Sequence, residues 1–156
     1  MCFAGKVPPG HVPNYLYVRP YMSDNRGLLK SEVLPILRSI GFNGSFPNLR
    51  RKTQYGNQLV MFQFDKWGSG DFVIEIAVAP LGEYSPWNGK VIPENKLTVP
   101  YFNPRFRLGS KSVGTDNWYS LPKDLEKLRK DVASIDDAFA LLKDCKWPNQ
   151  SVNSSP

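Results

Sequence analysis

The stretch from Phe62 to Val78, "FQFDKWGSGDFVIEIAV", constrains this chain more than any other. Two apolar runs flank a polar loop that contains Gly68 and Gly70. Runs rich in aromatic and β-branched residues, bounded by glycine and aspartate, read as two strands of a hairpin. Successive strand residues point to opposite sides. Phe72, Ile74, Ile76 and Val78 therefore share one face, and Val73, Glu75, Ala77 and Ala79 the other. A face so apolar must be covered, most simply by helices packed on one side of a sheet.

The chain supplies such helices. Leu29, Val33, Ile36, Leu37 and Ile40 recur at spacings of three and four, which is one face of an amphipathic helix over 28–40. Ser23, Asp24 or Asn25 can cap its start, Pro35 predicts a kink or a later beginning, and Gly41 a stop. Near the other end, "PKDLEKLRKDVAS" predicts a helix that starts at Pro122 and buries Leu125, Leu128 and Val132. "SIDDAFALLKDC" predicts another, with Ser134 and Asp137 as a capping-box-like start and Ile135, Ala138, Phe139 and Leu142 inward.

Between the helices lie the strands. One or two are expected around 45–55, one over Leu59–Phe64 and one over Asp71–Ala79. "YGNQ" reads as a hairpin turn with Gly56-Asn57 at its bend. Residues 80–103, punctuated by Pro86, Pro93 and Pro100, read as an irregular excursion with a short edge strand at most. "NPRFRLGS" and "NWYSL" close the set as short strands. The expected architecture is α+β: a mainly antiparallel sheet of about five strands, with an N-terminal helix and two C-terminal helices on one face.

A chain of 156 residues suits one domain. Residues 22–147 are assigned to it, with 1–21 as a proline-rich leader or packed arm and 148–156 as a polar tail. No apolar run is long enough to span a membrane, and prolines interrupt the start, so a cytoplasmic protein is expected. Cys2 and Cys145 are read as free thiols. The net charge of +6 points to nucleic acid, a membrane surface or an acidic protein, or serves only solubility.

Catalytic patterns are sparse. His11 is the single histidine and lies far from either cysteine, which argues against a Ser/Cys–His hydrolase and against zinc. Asp136 and Asp137 diverge as helix neighbours, so they do not form a carboxylate metal site. "WGSGD" opens a strand, not a helix, and so is not a phosphate loop. No cofactor or metal is expected. Asp65, Asp71 and Glu75, around the central hairpin, are the one carboxylate group that could support an enzyme.

Binding signals are better. Gln63, Asp65 and Trp67 at the hairpin bend, with Arg105, Arg107 and Trp118, form the expected surface for a protein partner. The alternative is single-stranded nucleic acid on Arg50, Arg51, Lys52, Arg105 and Arg107 with neighbouring aromatics, Trp87 among them. The oligomeric state is not legible.

The combination of "LLKSEVLPILRSIGF" with "LRRKTQYGNQLVMFQFDKWGSGDFVIEIAV", followed by Arg107-Leu108-Gly109 and Trp118-Tyr119, resembles the bacterial domain-of-unknown-function family numbered 4304. The resemblance covers about residues 28–145. Glu75 stands where members often carry a polar amide, and residues 80–103 are richer in proline. The resemblance implies an α+β domain without established catalytic residues, and an immunity-like role in binding a bacterial toxin.

Overall fold

The computed structural model describes residues 25–86, 88–110 and 117–144. The leader or arm 1–21, His11, both cysteines, Trp87 and the tail 148–156 lie outside the described residues. The order is helix, three long strands, an irregular excursion, a short strand and two helices.

The first helix, α1, begins with a helical turn over 25–28, passes through a π-helical turn at Leu29–Val33 and continues as α-helix over Leu34–Ser39. The π turn is how the chain accommodates Pro35. That residue lacks an N–H and its ring crowds the carbonyl four residues back. The wider turn lets the Leu34 N–H reach the Leu29 carbonyl instead. Gly41, at φ 100°, ends the helix as expected. The Phe42 N–H bonds the Leu37 carbonyl at 3.0 Å and the Gly41 N–H that of Arg38 at 3.1 Å, which is a Schellman cap.

The sheet has four strands in chain order: β1 Asn48–Thr53, β2 Gly56–Phe64, β3 Phe72–Ala79 and β4 Phe106–Arg107, all antiparallel. The expected count was about five. "NWYSL" contributes only one bridge, Phe72 with Tyr119. The excursion contributes only the bridge of Tyr84 with Ile92. The β1–β2 turn is also displaced from the expected Gly56-Asn57 to Gln54-Tyr55. Gly56 already pairs with Thr53 in the ladder. It is glycine because a Cβ there would stand 2.7 Å from the Ala79 carbonyl oxygen.

Two helices follow, α2 over Leu125–Ala133 and α3 over Ile135–Asp144. Helix α2 starts three residues later than expected, because 121–124 form a turn in which the Asp124 carboxylate accepts the Ser120 N–H. Ser134 does not cap α3: its hydroxyl donates back to the Lys130 carbonyl at 2.9 Å.

The helices cover one face of the sheet. Leu29, Leu37, Phe42, Leu128, Val132 and Phe139 meet Leu49, Val60, Phe62, Phe72, Ile74 and Ile76 in one buried core. The opposite face is covered too, at one end. The excursion folds back through 3-10 turns at Glu94–Lys96 and Val99–Tyr101, laying Leu97, Val99 and Phe102 on Leu59, Ala77 and Ala79. That accounts for the burial of Ala77 and Ala79, beyond the alternation read from the sequence, on a strand that is buried at every position from Phe72 to Ala77. Among the described residues no helix is long and apolar enough to cross a membrane.

Candidate partner-binding surface

The β2–β3 hairpin ends in a loop fixed by its own hydrogen bonds. The Asp65 N–H donates to the Asp71 carbonyl at 2.8 Å, and the Asp71 N–H to the Ser69 hydroxyl at 3.2 Å. The Asp65 carboxylate accepts the Ser69 N–H. Gly68 and Gly70 take φ of 81° and 83°, left-handed conformations that favour glycine. From outside, the Ser120 hydroxyl donates to Asp71 and the Asn25 amide to the Gly70 carbonyl. The two glycines therefore serve loop geometry. The loop holds Trp67 out at 82% exposure, with the Lys66 ammonium 4.7 Å from its ring. The Ser69 side chain, then the Trp67 N–H, hold the Asp65 carboxyl below its ordinary range.

A second cluster lies on the face away from the helices. Residues directly opposite in an antiparallel pair share a face. Gln63 opposes Val73, Met61 opposes Glu75, and Glu75 opposes Arg107, so all five share it. Glu75 is only 6% exposed. Its Oε1 lies 3.4 Å from Arg107 Nε and its Oε2 3.6 Å from Arg105 Nη1. Oε2 is buried without a hydrogen bond. Tyr119, stacked on Phe72 in the main core, turns its neighbour Trp118 the other way, and the Arg107 guanidinium sits 5.8 Å from the Trp118 ring. Four of the six partner-binding residues, Gln63, Arg105, Arg107 and Trp118, thus share one face, while Asp65 and Trp67 lie in the loop at its end.

The basic run 50–52 is divided. Arg51 is on the helix side, bonded to Gln58, the Ile40 carbonyl and Asp136. Arg50 and Lys52 face the other way, where Arg50 reaches the Glu94 carbonyl at 3.2 Å and Lys52 the Glu94 carboxylate at 2.7 Å. The Lys52 ammonium, with help from the Gly82 N–H, holds the Glu94 carboxyl below its ordinary value.

The carboxylates of the enzymatic alternative serve separate contacts: Asp65 with Ser69, Asp71 with Ser120, Glu75 with the arginines. A raised carboxyl is what general-acid work needs, and Asp65 is shifted the other way. Among the described residues no group of three or more His, Cys, Asp or Glu is placed to hold a metal ion.

Two features escaped the sequence. One is a cleft of about 450 Å³ between the β1–β2 turn and α3, lined by Tyr55, Val78, Pro104, Phe139 and Leu142. Val78, on the helix side of β3, is 41% exposed within it. The other is which acidic residue pairs with the arginines across the sheet, a pairing the sequence allows without naming the partner: it is Glu75. The lone charge in "FVIEIAVA" was its only signal.

The family model described as "Domain of unknown function (DUF4304)" matches residues 33–140. No curated protein matches the chain, and no solved structure does.

Proposed function

The chain belongs to the DUF4304 family, and from that premise we propose that it is a non-enzymatic protein-binding module, immunity-like, that neutralises a bacterial toxin domain in the cytoplasm. The observation that carries this reading is Trp67. An indole 82% exposed is costly to hydrate unless something covers it. Here it stands on a loop whose backbone and two aspartates are already bonded in place. A rigid aromatic anchor loses little freedom on binding, which is the property of an interface hot spot. The net charge of +6 favours a partner domain that is acidic.

Single-stranded nucleic acid is the weaker reading. It needs a basic track along one surface, whereas Arg51 is on the other side of the sheet from Arg50, Lys52, Arg105 and Arg107, and each of these already meets an acceptor.

The test uses wild type and Trp67→Ala as baits in extract of the native host. The expected result is that wild type retains one protein in equimolar amount, that this protein arrests growth when produced alone, and that Trp67→Ala loses it. Equal retention by both baits, or an equimolar partner that is harmless alone, would sink the reading.

A further inference from the structure

We propose that the cleft between the β1–β2 turn and α3 binds a small apolar carboxylate, its body against Val78, Phe139 and Leu142 and its anion on Lys143. The cleft lies at the opposite end of the β2–β3 hairpin from the loop of Trp67, so the inference goes beyond the reading which that residue carries.

Shape comes first. A volume of about 450 Å³ falls within the range of small-molecule sites. Its walls are Tyr55, Val78, Pro104, Phe139, Ala140 and Leu142. Tyr55 is 73% exposed and Val78 41%, so apolar surface here stays in contact with water until a ligand body covers it. The strand edge beside the cleft is closed to an added peptide strand. Carried on from Glu75 with Arg107 and Ile76 with Phe106, the β3–β4 register sets Pro104 opposite Val78. That place is taken by a residue with no N–H to give.

Charge gives the second step. Most of the polar lining is engaged within the chain. The Thr53 hydroxyl donates to the Gly56 carbonyl at 2.9 Å and accepts the Tyr55 N–H at 3.2 Å. The Gln58 amide oxygen accepts from Arg51, and the Asp136 carboxylate pairs with the same guanidinium. Lys143 is different. Its ammonium lies 4.5 Å from the Tyr55 ring, and among the described residues no carboxylate pairs with it. Arg51 and Asp136 cancel, which leaves the cleft with one uncompensated positive charge against an apolar wall. One monoanion balances it. A phosphate monoester, close to a dianion at neutral pH, would overshoot. A nucleoside would bring many polar groups to walls that offer them few partners. An apolar body with a single carboxylate satisfies both the walls and the cation, and the walls strengthen the ion pair by lowering the local dielectric.

The test adds hydrocinnamate to the isotope-labelled full chain and follows the backbone amide resonances. Those of Gly56, Val78, Ala140 and Lys143 are expected to move, while those of Trp67 and Phe72 stay. A Kd on the order of 1 mM or tighter is expected from one buried ring and one ion pair. Folding of each variant is checked by its melting temperature. Ala140 is an exposed position of α3 on the cleft wall, so Ala140→Trp fills the cleft without entering the core. It is expected to weaken the acid by about tenfold or more. Lys143→Gln should weaken it by about fivefold, the upper end for a pair open to water, and Lys143→Arg should match wild type. Lys123→Gln, in the turn before α2, should change it by less than about twofold. The neutral amide of the same acid separates the ion pair from apolar contact. Wild type should prefer the acid by about fivefold, and Lys143→Gln should bind acid and amide alike.

The proposal is overturned if the cleft resonances do not move, if wild type binds acid and amide equally, if Ala140→Trp binds as well as wild type, or if Lys123→Gln falls as far as Lys143→Gln. It is overturned equally by evidence of another occupant. A capped Gly-Phe-Gly-Glu peptide that binds more tightly than the acid would give the cleft to a protein segment. Movement of the same resonances with protein concentration alone would give it to a second copy. Tighter binding by Trp147→Ala than by wild type would give it to the end of this chain. None of these readouts involves Trp67. Failure here would leave the capture experiment standing, and a failed capture would leave the titration standing.

Discussion

The two faces of the sheet are covered by different physics. Against the helices, Phe62, Phe72, Ile74 and Ile76 meet side chains from all three helices in one continuous apolar core. On the other face a smaller cluster, Leu97, Val99 and Phe102 over Leu59, Ala77 and Ala79, is pinned by the ion pair of Lys52 with Glu94 and by the Arg50 contact with the same residue. Beside it the face turns ionic at Glu75. The first face is what makes the domain fold. The second has stability to spare for charged groups at its surface, and binding residues can sit there without dismantling the core.

The sharpest way to break this contrast is to truncate one buried side chain on each face. Phe72→Ala removes a ring stacked on Tyr119 and packed against Phe62 and Phe64. A loss of about 4 kcal/mol is expected, near the middle of the range for buried aromatics. Leu97→Ala acts on a cluster backed by two alanines and covered by irregular chain, which can settle into the space. A loss of about 2 kcal/mol, at the low end for leucine, is expected. Urea unfolding of both variants measures the difference. Equal losses would mean that the second face is as much a core as the first.

How much of this was legible in the sequence follows from the range of the signals. The α1 stripe, the β2–β3 hairpin and the α3 stripe were readable because periodicity is local and strong there. What was misread depended on contacts distant in sequence. Gly56 looked like a turn residue, but it is glycine because the Ala79 carbonyl crowds it. Ser134 looked like a cap, but its hydroxyl found the Lys130 carbonyl first. The lid of Leu97, Val99 and Phe102 was invisible, since proline-rich chain carries no period to read. For the candidate site, residue types were legible and their grouping only in part. Arg50 and Arg51 are neighbours in sequence but lie on opposite faces, while Glu75 and Arg105, thirty positions apart, form an ion pair.

Gly109 shows the same point and leads to the second prediction. The "RLG" glycine has φ 82°, and a Cβ there would stand within 2.7 Å of Tyr119 Oη, Asp131 Oδ2 and Asn117 Nδ2. It leaves room for a polar network at the edge of the helix-side core, in which the Tyr119 hydroxyl donates to Asp131 at 2.6 Å. Burial, then the Asp131 carboxylate, push the Tyr119 phenol far above its ordinary value of 10.0. A folded-state value raised in this way gives stability that is complete below about pH 10 and is lost as pH rises above it, because the unfolded chain releases the proton first. Tyr119→Phe is expected to cost about 2 kcal/mol at neutral pH, the loss of a hydrogen bond to a charged acceptor. The gap to wild type should narrow as pH rises past about 10, since only wild type pays to keep that proton. Urea midpoints at pH 7 and pH 11 test this. A gap that stays constant would mean that the phenol is not shielded as the geometry requires.

The smallest effect is expected on the second face, at Glu94. Its carboxyl is held below its ordinary value by Lys52 and by the Gly82 N–H. A lowered folded-state value gives the opposite sign: stabilisation is present above the ordinary carboxyl value of 4.5 and is lost as pH falls through the lowered one. Because the group is open to water, the expected readout is local. The Gly82 amide, which donates to Glu94, should lose exchange protection in wild type between pH 6 and pH 3, after correction for intrinsic rate. In Glu94→Gln the neutral amide can still accept that hydrogen, so protection should be equal at the two pH values. Amides of β2 and β3 beneath the helices should keep their protection throughout, because the continuous apolar core closes that face and the ion pair of Arg51 with Asp136 lies at its edge strand. If acidification leaves Gly82 as protected as before, the lid is held by Leu97, Val99 and Phe102 alone. The two faces would then differ in size but not in kind.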